Sequence, residues 1–387
     1  MPLHPASLSA RPERPALPST VTPSSPAQRK PPVANPTPSK PTSRKARART
    51  TAQLARAAGL VMVRRDTLNI TRRRCGRGYR YFDGTGKPIT DKDLISRLAA
   101  LAVPPAYADV RFASHPRAHL QAVGRDAAGR VQYRYHPDWE AVRGQLKAER
   151  LARFAEALPR IRRRVARDLS APVGSRLLAL AGVVELVTLT AIRPGEEAYA
   201  RERGTRGAAT LLKSNLRHKP QGLELSFQAK GGRKVVCAIA DPRFLSLVAA
   251  LRQLPGRRLF QYRNAQDEVR PVRAGDVNAY LKQVSGIPVS LKDFRTLVAS
   301  ARVLEELAVR EPAASDRRRN AQILEAVRIA AETLHNTPAI CRKSYVLPAV
   351  VEAFEDGTLS RFSQFLKRYR SPMRRATLLA TLIREST

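Results

Sequence analysis

The spacing of apolar residues changes near Trp139, and this change limits what the chain can fold into. From about Leu60 to Val142, short β-like runs are separated by turns, as in YRYFDGTGKPI, where an Asp-Gly turn indicates a hairpin. Beyond Trp139, apolar residues recur every three or four positions, which is typical of amphipathic helices. The sequence therefore predicts an α+β fold, with a small antiparallel β-rich lobe followed by a mainly α-helical domain.

The helical part contains six predicted helices and one interruption. The helices are expected at Gln145–Leu169, Ser175–Ile192, Arg243–Leu254, Asp276–Val284, Asp293–Leu307 and Ala321–Leu334. Within LLKSNLRHKPQGLELSFQAKGGRKVVCAI, the turns KPQG and KGG indicate a small three-stranded sheet.

The first 50 residues differ in kind, because they contain 12 of the 29 prolines and many Ser and Thr. Such a segment buries too little apolar surface to offset the entropy of ordering it. We therefore expect a disordered basic tail at residues 1–55, followed by the β-rich lobe at 56–143 and the mainly helical domain at 144–387.

The charge of the chain indicates a polyanionic partner. The 387 residues include 70 Lys and Arg against 32 Asp and Glu, a formal net charge of +38. Duplex DNA is the expected partner, because neutralising its phosphates releases condensed counterions. No apolar run of about 18 residues is present, so a membrane partner is not expected.

Neither a metal nor a nucleotide cofactor is expected. Cys75, Cys237 and Cys341 lie far apart and offer neither disulfide nor zinc spacing. GTGKPIT has the wrong spacing for a Walker A motif, and no pair of acidic residues has an obvious metal-binding spacing. These features, and the lack of a secretory apolar segment, favour the cytoplasm.

Two cations of the helical part are candidates for binding a phosphodiester. Arg193 follows an apolar helix in LTAIRPGEEAYA, where the alternative is an ion pair with Glu196 or Glu197. Lys230 lies at a hairpin tip in FQAKGGRK, where the alternative is a lysine that is only solvated.

Two further candidates follow later in the chain. Arg295 lies near a helix N-terminus in SLKDFRTLVAS, where the helix dipole favours an anionic ligand. Tyr345 in CRKSYVLP has Arg342 and Lys343 beside it, and these cations would stabilise a phenolate or hold DNA nearby. The alternative for Tyr345 is an ordinary core tyrosine.

The order of these residues resembles that of the type IB DNA topoisomerases, especially the bacterial, poxvirus-like branch. The shared order is Arg, Lys on a β-turn, Arg in KDFRT and Tyr after TPxxxRKS. Five further segments also resemble the family: VPPAYADV, RPGEEAYARERGTRGAATL, FQAKGG, NTPAICRKSYVLPAV and AFEDGTL. The similarity therefore covers about residues 60 to 360. GRDAAGRVQYRYHPDW resembles the family's base-contacting segment, which implies DNA contacts by Gln132, Tyr133 and Tyr135.

The chain departs from the family at two places. Pro194 and Glu196 stand where the family often has a small apolar residue and Asn, and Glu196 could compete for the guanidinium of Arg193. Relatives have His or Asn nine residues before the tyrosine, a position that is Asn336 here. His335 is one residue too early, which turns it by about 100° on a helix. The resemblance therefore implies that Asn336 is the phosphate contact and His335 a helix-end residue.

The resemblance also implies a mechanism. Tyr345 would attack a DNA phosphodiester to form a 3′-phosphotyrosine, and Lys230 would protonate the departing 5′ oxygen. Arg193 and Arg295 would stabilise charge on the non-bridging oxygens, and Asn336 would donate a further hydrogen bond. The enzyme would relax supercoiled DNA as a monomeric clamp in the nucleoid, using neither ATP nor metal.

Two alternatives stay open. A site-specific tyrosine recombinase shares the Arg, Lys, Arg, Tyr order, but recombinases generally have HxxR where this chain has KDFR. They also usually carry a helical rather than a β-rich N-terminal lobe. A non-catalytic architectural DNA-binding protein would fit the composition alone.

Overall fold

The N-terminal lobe is built on one antiparallel sheet in the computed structural model, which describes residues 50–368 and 372–386. Its strands are β1 (Ile70–Cys75), β2 (Gly78–Phe82), β3 (Ala108–Phe112), β4 (Leu120–Arg125) and β5 (Val131–Tyr135). They lie in the order β2-β1-β3-β4-β5, so β5 is an edge strand. Helices α1 (Thr51–Ala57) and α2 (Lys92–Ala100) complete the lobe, and the predicted β-rich character is confirmed.

The two faces of this sheet differ in chemistry. One face packs against α2 through a small apolar core that includes Ile70, Phe112 and Leu98. Because side chains alternate along a strand, exposed arginines of β1 to β4 lie on the other face: Arg73, Arg80, Arg111 and Arg125. A groove of about 770 Å³ on this basic face is lined by Arg111 and Arg125 among others.

The predicted Asp-Gly turn closes a short antiparallel contact, and a longer hairpin that was not predicted precedes it. β1 and β2 are joined through Gly76, which has φ +57°, whereas the turn from Asp83 to Lys87 closes an isolated bridge between Phe82 and Pro88. Both turns have residues that suit a hairpin. The strand β1 was not predicted, because its arginine-rich sequence does not alternate between apolar and polar residues.

The described structure starts before the predicted end of the basic tail. Most of residues 1–55 lies outside the described residues, but α1 starts at Thr51. Thr50 forms a capping box with Gln53, and Leu54 packs in a small core with Trp139. These contacts provide the apolar burial that the proline-rich composition before them lacks.

The second part of the chain is mainly helical, as predicted. Its helices are α3 (Pro137–Asp168), α4 (Arg176–Thr190), α5 (Glu197–Glu202), α6 (Pro242–Arg252), α7 (Ala274–Ser285), α8 (Leu291–Ala308), α9 (Asp316–Thr333), α10 (Pro338–Tyr345), α11 (Pro348–Glu355), α12 (Ser363–Arg368) and α13 (Pro372–Glu385). The six predicted helices correspond to α3, α4, α6, α7, α8 and α9.

Helix α3 starts eight residues earlier than expected and passes through the boundary predicted between residues 143 and 144. His136 caps the helix by accepting from Asp138 N at 3.2 Å, and Pro137 has the dihedral that suits a first helical residue. The two lobes are therefore joined by a continuous helix of 32 residues.

The predicted three-stranded sheet is present. It contains β6 (Leu216–Lys219), β7 (Gly222–Gln228) and β8 (Lys234–Ile239) in the order β6-β7-β8. A further pair, β9 (Gln261–Arg263) and β10 (Val269–Pro271), was not predicted, because three residues are too few to show alternation.

Helix α4 lies at the centre of the helical core and is apolar nearly all round. Its Glu185 is paired with Arg162 at 2.6 Å, which satisfies the one buried charge of this stretch. Within residues 50–368 and 372–386, none of the helices combines the length and apolar character needed to cross a membrane.

Candidate active site

Four of the predicted site residues line one pocket of about 270 Å³: Arg193, Lys230, Arg295 and Tyr345. The fifth, Asn336, is buried behind it and accepts a 2.5 Å hydrogen bond from Arg193 Nη2 through its Oδ1. These two residues are 143 positions apart in sequence. The fold therefore brings all five together.

Arg295 is held by the ends of two helices. Its side chain is 0% exposed, and Nη1 donates to Ala191 O while Nη2 donates to Leu334 O at 3.0 Å. Ala191 ends α4 and Leu334 ends α9, so both carbonyls lie at the negative ends of helix dipoles. This arrangement holds the guanidinium through main-chain groups, and no carboxylate of the described residues forms an ion pair with it.

Both helix ends use a left-handed backbone at a residue that is not glycine. Ala191 has φ +50° and His335, which follows Leu334, has φ +53°. Non-glycine residues adopt this region at a cost of order 1–3 kcal/mol, and such positions cluster at functional sites. His335 is therefore a helix-end residue, as predicted, and burial together with Arg295 and Arg233 keeps its pKa below the ordinary value.

Arg193 is positioned by a close contact between two main-chain segments. Its carbonyl accepts from Ala208 N and that of Pro194 accepts from Ala209 N, both at 2.8 Å. A Cβ on Gly207 would overlap the main chain of Gly195. The segments can approach this closely only because both positions are glycine.

The ion pairs proposed as the alternative for Arg193 are not formed in the described part of the chain. Glu197 is paired with Arg258 instead. Glu196 is exposed and lines the pocket, but makes no ion pair with Arg193 among the described residues.

Tyr345 is buried at the end of α10, with 8% of its surface exposed. Burial of the hydroxyl opposes ionisation, but the positive charges of Arg295 and Arg193 outweigh it and lower the pKa of Tyr345 below its ordinary value. Arg342 and Lys343 were expected to supply this effect, but both are exposed. Lys343 is turned by about 200° from Tyr345 on the helix, and Arg342, although one turn away, extends into solvent while Tyr345 is buried.

Lys230 lies at the turn between β7 and β8, as predicted, and is exposed. Its Nζ is 5.0 Å from the centroid of the Tyr199 ring, a cation–π distance. The amine is thus held at the pocket while remaining accessible to a ligand.

Sequence reasoning gave no site role to several side chains that line the pocket, among them Tyr199, Arg206 and Lys292. Lys292 lies three positions before Arg295 on α8, and residues at this spacing share a helix face. That spacing was a usable signal. The positions of Tyr199 and Arg206 depend on the folding of the loop around α5.

The predicted base-contacting residues lie on β5 but not all on one face of the strand. The rings of Tyr133 and Tyr135 are stacked with centroids 6.0 Å apart, and Tyr133 is exposed. Gln132 lies on the opposite face, where its Nε2 donates to Asp126 Oδ2 at 2.9 Å. The alternation of side chains along a strand separates the glutamine from the tyrosines.

Comparisons with known proteins agree on one family. The model of the bacterial DNA topoisomerase IB N-terminal domain matches residues 78–126, and that of the eukaryotic DNA topoisomerase I catalytic core matches residues 137–371. The DNA topoisomerase 1B of Acanthamoeba polyphaga mimivirus is 29% identical over 285 residues, which cover 72% of this chain and 84% of the viral protein.

Proposed function

Because the chain belongs to the type IB DNA topoisomerases, we propose that it relaxes supercoiled DNA by cutting and rejoining one strand through Tyr345. The observation that carries this proposal is the placement of a buried tyrosine beside two guanidinium groups that lower its pKa. A core tyrosine would have its pKa raised by burial.

In the proposed reaction, Tyr345 Oη gives its proton to solvent and attacks the phosphorus of a backbone phosphodiester. The bond from phosphorus to the 5′ oxygen breaks, leaving a 3′-phosphotyrosine, and Lys230 gives a proton to the departing oxygen. Religation reverses these steps, with Lys230 recovering its proton. The phosphotyrosine retains the bond energy, so neither ATP nor a metal ion is required.

Arg193, Arg295 and Asn336 are proposed to bind the non-bridging oxygens of the phosphate. Two of their buried donors, Arg295 Nε and Asn336 Nδ2, have no hydrogen-bond partner among the described residues. Buried donors normally have partners, so these two are suited to an anionic ligand that completes the site.

We further propose that duplex DNA is held between a lobe at residues 56–143 and a catalytic domain at 144–387, in a monomer of the bacterial nucleoid. The basic face of the N-terminal sheet supports this arrangement, because exposed arginines suit phosphate contacts. Tyr133 offers an exposed ring for base or sugar contact, with Tyr135 stacked behind it, and Gln132 is proposed to approach from the opposite side of the strand.

Relaxation of supercoiled plasmid in EDTA and without ATP tests the proposal, with Tyr345→Phe run beside the wild type. We expect relaxation and a detergent-trapped covalent protein–DNA complex from the wild type and neither from the variant. DNA affinity should be equal in the two proteins. Relaxation by Tyr345→Phe would assign the nucleophile elsewhere, and inactivity of both proteins would favour the recombinase or architectural alternatives.

A further inference from the structure

We propose that Lys147, on the helix that joins the two lobes, is a positioning residue for Tyr345. We also propose that strand cleavage depends on the lobe arrangement that keeps Lys147 against the nucleophile helix. The inference rests on the proposed role of Tyr345 and extends it to a residue 198 positions earlier in the sequence.

Lys147 caps the helix that carries the nucleophile. Its Nζ donates to Ser344 O at 3.0 Å. This carbonyl lies in the last turn of α10, where main-chain oxygens have no partner within the helix and form the negative end of the dipole. The next carbonyl, that of Tyr345, accepts from Ser300 Oγ at 2.9 Å. A lysine from α3 and a serine from α8 thus fix the end of α10 at which Tyr345 lies.

The same face of α3 also contacts the helix that carries Arg295. Arg150, three residues after Lys147, is paired with Asp293 at 3.1 Å. Asp293 is the buried member of the capping box that starts α8, and its Oδ2 accepts from Ser290 N at 2.8 Å. One turn of α3 therefore contacts the segments that position both Tyr345 and Arg295.

The N-terminal end of α3 is attached to the strand proposed to contact bases. The helix begins directly after β5, and Trp139 in its first turn has ring centroids 6.3 Å from Tyr135 and 4.7 Å from His119. Trp139 and Lys147 are separated by about 12 Å along the helix axis, at 1.5 Å per residue. A shift of the N-terminal lobe that carries α3 with it therefore changes the contact with Ser344.

Lys147 is half-buried, in surroundings that disfavour its charged form. Burial, with the charges of Lys292 and Arg150, lowers its pKa to about 8, although Asp293 acts in the opposite direction. An apolar side chain of similar length would avoid this desolvation cost. A half-buried cation whose surroundings disfavour its charge, and which contacts the nucleophile helix, is better explained by function than by folding.

The test compares four proteins in single-turnover formation of the covalent DNA complex, trapped with detergent: wild type, Lys147→Met, Lys147→Arg and Arg163→Met. Arg163 is an exposed residue of the same helix, so its variant matches the loss of charge. We expect Lys147→Met to bind DNA normally, to melt at an equal or higher temperature and to cleave about tenfold more slowly. Lys147→Arg should recover most of the rate, and Arg163→Met should equal the wild type.

A wild-type cleavage rate in Lys147→Met would overturn the proposal while leaving the proposed topoisomerase activity intact. A slower rate accompanied by a matching loss of melting temperature would assign Lys147 a structural role and also overturn it. Failure of the wild type to form a complex through Tyr345 would instead contradict the proposed function, so the two failures are distinguishable.

The dependence on the N-terminal lobe has its own test. If the lobe acts through α3, the effects of Trp139→Phe and Lys147→Met on the cleavage rate should be less than additive in the double variant. Additive effects would show that Lys147 acts independently of the N-terminal lobe and would refute the proposed dependence on the lobe arrangement.

Discussion

The guanidinium carbon of Arg295 lies 4.8 Å from the centroid of the Tyr345 ring. Because two helix ends already hold this guanidinium, its charge is fixed beside the phenol before any DNA binds. Electrostatic groups that need no reorganisation are the most effective at stabilising charge that develops during a reaction. The pair therefore links the proposed nucleophile to the proposed phosphate-binding group.

The ionisation of Tyr345 should be observable directly. We expect its phenolate to form below pH 10, because Arg295 and Arg193 favour the negative form more than burial opposes it. Removing one positive charge in Arg193→Gln should raise the pKa, since the phenolate loses part of its stabilisation. Ultraviolet difference titration against Tyr345→Phe measures both values. A transition above pH 10 in the wild type would show that burial dominates.

Arg295→Lys should be far from conservative. A lysine lacks the planar fork that reaches both Ala191 O and Leu334 O, so we expect a cleavage rate lower by about 10²–10³-fold. Loss of one buried hydrogen bond should reduce the free energy of unfolding by about 1–3 kcal/mol. Single-turnover cleavage and urea unfolding measure the two effects, with Arg302→Lys on the same helix as the control. If Arg295→Lys cleaves at the wild-type rate, Arg295 does not have the proposed role in cleavage.

The proposed role of Lys230 can be separated from simple DNA binding. Lys230→Ala should cleave ordinary DNA about 10²–10⁴-fold more slowly, because the 5′ oxygen then leaves without a proton donor. A substrate with sulfur at the bridging 5′ position should restore most of the rate, since a thiolate leaves without protonation. Tyr345→Phe should not be rescued by this substrate. Equal slowing of Lys230→Ala on both substrates would assign the lysine to another step.

Alanine substitution should have opposite effects on stability at two glycines, one in the close contact that positions Arg193 and one on an open helix surface. In Gly207→Ala the new methyl group meets the main chain of Gly195, so we expect a loss of about 1–3 kcal/mol in stability together with slower cleavage. Gly144 on α3 has no atom within 4 Å of an added Cβ, and Gly144→Ala should stabilise the protein by about 0.4–1 kcal/mol. Urea unfolding measures both. A stable, active Gly207→Ala would show that the main-chain contact does not position Arg193.

The sequence alone determined the fold class, the positions of six helices and the three-stranded sheet. These features depend on periodicity and turn residues over short stretches, which the chain carries locally. The order of Arg193, Lys230, Arg295 and Tyr345 likewise follows from motifs that resemble one family. The motif also distinguished Asn336, which bonds Arg193, from His335 at the helix end, and the phosphate contact by Asn336 stays a prediction.

Tertiary structure decided which groups stand beside Tyr345. Sequence neighbours suggested Arg342 and Lys343, but Arg295 and Arg193 provide the charge, since three helix ends converge on that point. The contact from Lys147 crosses 197 positions, and no local pattern encodes such a distance. The reason is physical: periodicity records which side of an element is buried, whereas the identity of the neighbour depends on how distant elements pack.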